Sequence, residues 1–296
     1  MTPLAFSQDG GTVHRIPVEG TVCLSAVDYP GSGTPYLLLH GFPDNRIIYH
    51  TLIPELRKRG KRCIVFDFVG WGDSDKPGIR HYPYSAQQQV REIQAVMAFF
   101  ALDAVRLVVH DMAGPPAIEF AVHHEHAIEE LVLLNTYYHH TPARREPPTI
   151  TLFSAPVIRA VCTPFGKLDA VFKPVFRMQM RPFFNDDRIR KTYMPLFLPQ
   201  FLGKGNSKHA MFRIIRQVPG EVRRNAGSIA ALNGFNKPVT VIFGSTDKYL
   251  GAELAREFAA IFPNARLHLV DRCNHYPQLE YPELVADLLV GTRESR

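Results

Sequence analysis

The chain has 296 residues, 46% of them hydrophobic and 21% charged, a balance that fits a globular protein of one large domain or two small ones. No run reaches the ~18 apolar residues of a membrane span, no signal peptide is expected from residues 1–20, and four widely spaced cysteines (Cys23, Cys63, Cys162 and Cys273) show no metal-ligand pattern. The net charge of +6 is uneven: residues 137–237 hold 17 Lys/Arg against 5 Asp/Glu, while the remainder holds 17 against 23. The middle of the chain is therefore expected to form a layer with its own basic surface, and no motif for nucleic acid accompanies it.

Residues 13–30 alternate apolar and polar side chains, which predicts an antiparallel hairpin at a sheet edge. Short runs rich in Val, Ile and Leu then recur at 36–40, 62–68, 105–110, 131–135, 239–244 and 265–270. Each is too short for a helix and apolar on both faces, as a strand buried in a parallel sheet must be. Helical spacing is predicted for 49–59, 85–102, 115–124, 252–262 and 282–290. Alternating strand and helix implies an α/β fold with a mostly parallel, doubly wound sheet. About a hundred residues interrupt the alternation between the fourth and fifth of these strands. A structureless loop of that length is implausible, so residues 138–236 are expected to be a helical cap, inserted between core segments 1–137 and 237–296. The Phe residues of this insertion, Phe153, Phe165, Phe172, Phe176, Phe183, Phe184, Phe197 and Phe201, are expected to form mostly its own core.

The strand at 105–110 runs into LVVHDMAGPPAIEFA. A strand joined to a helix by a tight turn of small residues lifts one side chain above the sheet, the geometry of a nucleophile elbow, and Asp111 stands where a serine is usual. The following helix N-terminus would favour its anionic form. The competing reading, an Asp that merely caps a helix, weakens when three further matches follow in order. LLLHGFPDN at 37–45 predicts an oxyanion loop in which the backbone N–H groups of Phe42 and Met112 face the nucleophile. Asp247 follows the strand at 239–244, and His275 follows the last strand. The order nucleophile, Asp, His is that of the α/β-hydrolase fold. Alternation turns His110 away from the face that carries Asp111.

On these residues the chain resembles the haloalkane dehalogenase and epoxide hydrolase branch of the α/β hydrolases. HGFP (40–43) is similar to the epoxide-hydrolase loop, DFVGWGDSDKP (67–77) to both families, VVHD (108–111) and DKYLG (247–251) to the dehalogenases, and LLNT (133–136) to the epoxide hydrolases. Asn135 occupies a place where some dehalogenases carry their catalytic acid, which favours Asp247 for that role. The resemblance implies a small-molecule substrate and an α/β-hydrolase fold with an inserted cap.

A carboxylate with a pKa near ~3.9 is ionised at neutral pH and needs no base to attack. Attack on an acyl carbon gives a reversible anhydride, whereas attack on a saturated electrophilic carbon gives an alkyl ester on Asp111. His275, oriented by Asp247, would activate the water that cleaves this ester, and the chemistry requires no metal or organic cofactor. The resemblance leaves the leaving group open. Dehalogenases hold halide with an indole from the residue after the nucleophile, where this chain has Met112; its single tryptophan is Trp71. Epoxide hydrolases protonate the departing oxygen with cap tyrosines, for which Tyr193, Tyr137 and Tyr138 are the candidates. The order of expectation is epoxide opening, then haloalkane or haloacid hydrolysis, then a non-catalytic binding protein that kept the fold. A reduced, cytoplasmic protein is expected, and a homodimer is compatible with the sequence.

Overall fold

The computed structural model describes residues 10–148, 150–151, 155–156 and 168–291. Eight strands form one sheet: β1 (Thr12–Glu19), β2 (Val22–Tyr29), β3 (Ser32–Leu39), β4 (Lys61–Asp67), β5 (Val105–Asp111), β6 (Ile128–Thr136), β7 (Val239–Gly244) and β8 (Ala265–Val270). Their order is β1-β2-β4-β3-β5-β6-β7-β8. The β1/β2 hairpin is the antiparallel edge, β2 also pairs antiparallel with β4, and every other pairing is parallel. The α/β-hydrolase fold expected from the sequence is the fold observed. Leu37, Leu38 and Leu39 of β3, Leu107, Val108 and Val109 of β5, and Leu131 to Leu134 of β6 are fully buried, because helices cover both faces of the central strands.

The helix expected over 49–59 is split. A short 3-10 turn, Arg46–Tyr49, precedes an α-helix at Leu52–Lys58. Pro54 accounts for the break, since its ring would collide with the carbonyl of His50 in a continuous helix. The helix after β5, Gly114–His123, carries Pro115 and Pro116 in its first turn, where the missing N–H groups cost little.

Between β6 and β7 the described residues form helices at Asp169–Met180, Asp187–Phe197, Lys208–Asn225 and Ile229–Asn233. Phe172, Phe176 and Phe201 meet with ring centroids 5.2–5.5 Å apart. Phe153, Phe165 and Cys162 lie outside the described residues. This segment is tied to the loops at the C-terminal ends of the strands. Gln200 donates to the carbonyls of Pro43 and Asp44, at 2.9 and 3.3 Å, and accepts the Gly72 N–H at 2.9 Å. On the far side Asn274 donates to the Pro182 carbonyl at 2.9 Å, and Asn185 donates to that of Arg272 at 2.9 Å. Among the described residues no helix is long and apolar enough to cross a membrane.

Candidate active site

Asp111 ends β5 with φ +48°, the left-handed conformation that a non-glycine residue adopts only when its surroundings enforce it. Two glycines make room for that turn. A Cβ on Gly41 would stand 2.5 Å from Asp111 Cβ, and one on Gly114 would stand 2.1 Å from Thr136 Oγ1. The Asp111 carbonyl is held by the Thr136 hydroxyl at 2.5 Å. The elbow is thus fixed from both neighbouring strands, and its carboxyl faces a pocket with a side-chain exposure of 14%.

The loop after β3 supplies the partner of that carboxyl. The Phe42 N–H donates to Asp111 Oδ2 at 2.9 Å. Burial raises the Asp111 pKa, and the His275 charge together with the N–H groups of Phe42 and Met112 opposes that rise. His40 anchors the loop: its ring contacts the Gly41 carbonyl at 2.8 Å and accepts the Phe68 N–H at 3.1 Å.

His275 and Asp247 meet from separate loops, with Nδ1 to Oδ2 at 2.7 Å. Asp247 is buried, yet its carboxyl is held below the usual range, because His275 and the N–H groups of Tyr249 and Leu250 outweigh the desolvation. Asn135 completes this cradle. The β5/β6 pairing jumps from His110↔Leu134 to Asp111↔Thr136, which leaves Asn135 at the irregularity with φ +29°. Its amide donates to Asp247 Oδ2 at 2.9 Å and to the Leu250 carbonyl at 3.1 Å, and its Oδ1 accepts the Gly244 N–H at 2.8 Å.

His275 Nε2 stands 3.9 Å from Asp111 Oδ1. Burial would depress the imidazole pKa, but Asp247, Asp111 and Asp44 overcome it and hold the pKa up at about 9. Asp44 lies behind the site, fully buried, and accepts the Tyr276 hydroxyl at 2.9 Å. Burial and the Asp111 charge push its pKa up to about 7. His110 is buried there too, with Nε2 2.9 Å from the His275 carbonyl, so it faces away from the pocket as alternation implied.

The pocket above Asp111 has about 470 Å³ of space not filled by atoms, part of it open to solvent. Asp111, His275, Phe42 and Met112 all border it, as does Tyr137. Tyr137 is buried and its hydroxyl has no hydrogen-bond partner among the described residues. The other two tyrosine candidates are not among the residues that border the pocket. The Tyr138 hydroxyl faces Glu119 at 3.4 Å on the helix after β5, and Tyr193 is buried beside Phe197, with ring centroids 6.3 Å apart. Each hydroxyl is engaged away from the pocket, that of Tyr138 toward Glu119 and that of Tyr193 toward Thr51, while the Tyr193 ring packs beside Phe197 of its own helix. Trp71 packs edge-on against Phe42 at 5.6 Å and does not border this pocket.

Sequence reasoning did not single out Arg144, Arg145, Gln179 and Tyr249, which also line the pocket. The arginine pair was visible as the first cations of the basic insertion, but no spacing tied it to Asp111. Among the described residues no cluster of three or more His, Cys, Asp or Glu is arranged to hold a metal ion.

Comparison with known proteins agrees with this architecture. A family model described as the alpha/beta hydrolase fold matches residues 34–282. A cis-3-alkyl-4-alkyloxetan-2-one decarboxylase of Shewanella oneidensis is 26% identical over 259 residues, 83% of this chain and 77% of that protein. Haloalkane dehalogenase 1 of Mycobacterium tuberculosis is 30% identical over 227 residues, 73% of this chain and 69% of that protein. Among solved structures, a haloalkane dehalogenase mutant from Agrobacterium tumefaciens has a similar fold, with a TM-score of 0.78 at 20% identity over 97% of this chain and 99% of that one. The chain belongs to the α/β-hydrolase fold family, in the branch that contains the haloalkane dehalogenases.

Proposed function

We propose that this hydrolase uses Asp111 to attack a saturated electrophilic carbon, and that the electrophile is a small, strained oxygen ring of the epoxide type. The observation that carries the reading is the division of labour between the two Asp111 oxygens. Oδ2 accepts the Phe42 N–H at 2.9 Å, while Oδ1 is left toward the pocket, 3.9 Å from His275. A serine nucleophile needs a base in direct hydrogen-bond contact; a carboxylate does not.

In this reading Oδ1 forms a bond to a ring carbon as the ring C–O bond breaks. The departing oxygen takes the Tyr137 phenolic proton, and the tyrosinate is reprotonated from solvent. Water then attacks Cγ of the Asp111 ester and passes its proton to His275 Nε2. The N–H groups of Phe42 and Met112 face the oxyanion that forms at Oδ2, an effect of about 3 kcal/mol per donor. Collapse of this intermediate expels the second oxygen of the product, which His275 protonates, and Asp111 returns a proton to solvent as its carboxylate re-forms. The net change is ring plus water to diol.

Esterification also sets the timing. The Asp111 charge is one of the supports that hold the His275 pKa at about 9. Neutralising that charge lowers the pKa, so the imidazole gives up its proton more readily at the stage that needs a base. We take residues 138–236 as a cap over this chemistry, a view supported by the Gln200 and Asn274 ties to the strand-end loops.

The leaving-group assignment rests on Tyr137, which borders the pocket and whose hydroxyl has no hydrogen-bond partner among the described residues, and on Trp71, which does not border it. The oxetan-2-one in the name of the Shewanella relative is also a strained oxygen ring. The haloalkane dehalogenase relatives favour a second reading, carbon–halogen hydrolysis by the same ester route. Replacement of Asp111 by Ala tests both: all hydrolytic activity should vanish, and full activity would refute the assignment of the nucleophile.

A further inference from the structure

Most of the pocket wall is apolar, yet two adjacent arginines are part of it. Arg145 is exposed at the rim, whereas the Arg144 side chain is only 4% exposed. A guanidinium remains charged at any accessible pH, so an enclosed one requires partners for its donors. Arg144 has two. Nη1 donates to Glu146 Oε1 at 2.7 Å, and the guanidinium carbon lies 4.4 Å from the centre of the Tyr137 ring. Its Nε–H is buried and has no hydrogen-bond partner among the described residues. A buried donor of a charged group left empty carries its whole desolvation penalty. Glu221, the nearby buried carboxyl, makes no hydrogen bond to Arg144, and its own Oε1 has no partner among the described residues. Burial pushes the Glu221 pKa up to about 7, against the pull of Arg224 and Arg144.

Building on the reading of Asp111 as the attacking carboxylate, we propose that Arg144 is an anion-binding residue of the pocket and that the substrate carries a carboxylate. The Nε edge of a guanidinium matches a carboxylate in a forked pair. The apolar wall, which includes Ile150, Phe183 and Leu250, suits a short hydrocarbon chain between that carboxylate and the electrophilic carbon. Asp111 and Glu146 repel such a ligand, so its binding depends on Arg144, on Arg145 at the rim and on protonated His275. The basic excess of residues 137–237 would draw the same ligands toward the pocket.

Hexanoate and hexanamide have one shape and no electrophilic carbon, so they report binding alone. Calorimetric titration of the wild-type protein should show hexanoate binding at least about tenfold tighter than hexanamide, as expected for a charge-assisted pair. In Arg144→Gln that preference should fall at least about threefold, the remainder coming from Arg145 and protonated His275. Equal affinities in the wild type, or a smaller loss in Arg144→Gln, would overturn the proposal. The wild-type comparison stands even if the variant folds poorly. Mass analysis of His275→Ala treated with uncharged epoxides and haloalkanes separates the two levels of inference. An Asp111 ester without any hexanoate preference refutes the carboxylate subsite and leaves the nucleophile intact. A clear preference, with no ester from charged or uncharged electrophiles, supports the subsite and refutes the nucleophile.

Discussion

His275 Nε2 and Asp111 Oδ1 stand 3.9 Å apart, beyond hydrogen-bond reach, although both belong to one buried cluster. The two groups act on each other through charge rather than through a shared proton. That relationship gives the first prediction. Asp111→Asn removes the charge as esterification would, so the His275 pKa should fall clearly below about 9. Imidazole NMR shifts followed against pH would measure it, and an unchanged midpoint would leave the proposed timing without a basis.

The same elevation makes a statement about stability. The folded protein holds the His275 proton up to about pH 9, against an ordinary value of 6.5. Its contribution is therefore fully present below pH 6.5 and is lost as pH rises through about 9. Urea midpoints at pH 6 and pH 9.5, compared between the wild type and His275→Gln, should converge at the higher pH. The difference between the two proteins cancels Glu221, which titrates nearer neutrality and is not coupled to His275, and reports His275 together with Asp44, whose pKa the His275 charge lowers.

Tyr137→Phe separates the leaving groups. Loss of a positioned acid typically costs about 100-fold or more, so epoxide opening should fall by that order while the protein stays folded. Turnover of a haloalkane should be little changed, because halide departs without a proton. Retention of full epoxide activity would remove Tyr137 from the mechanism.

Gly41→Ala tests the geometry of the elbow. The new methyl would meet Asp111 Cβ at 2.5 Å and the His110 carbonyl at 2.8 Å, so the carboxyl or the oxyanion loop must shift. A displacement of about 1 Å is worth roughly 100-fold in rate. Steady-state kinetics should show the loss mainly in kcat.

Much of this was legible in the chain because strands buried on both faces declare themselves as continuous apolar runs, as LVVHD and VTVIFG do. Asp111, Asp247 and His275 each follow such a run, so their convergence could be read from order alone. The tyrosines were a different matter. Tyr137, Tyr138 and Tyr193 are alike in sequence, and only the packing of Tyr138 toward Glu119 and of Tyr193 beside Phe197 separates them from Tyr137. Arg144 and Tyr249 come from loops whose paths no periodicity encodes. Asn135 lies between. Its position in LLNT was noticed, but its hydrogen bond to Asp247 depends on a register shift between β5 and β6 that the sequence does not announce.

Asp111 as the attacking carboxylate is tested by the intact mass of His275→Ala after mixing with pooled epoxides and with haloalkanes or haloacids. This variant should form the ester and fail to release it. A stable gain equal to the whole mass of an epoxide is expected, located by proteolysis on the peptide that contains Asp111. An adduct on any other residue, or none from a pool that the wild type turns over, would contradict it.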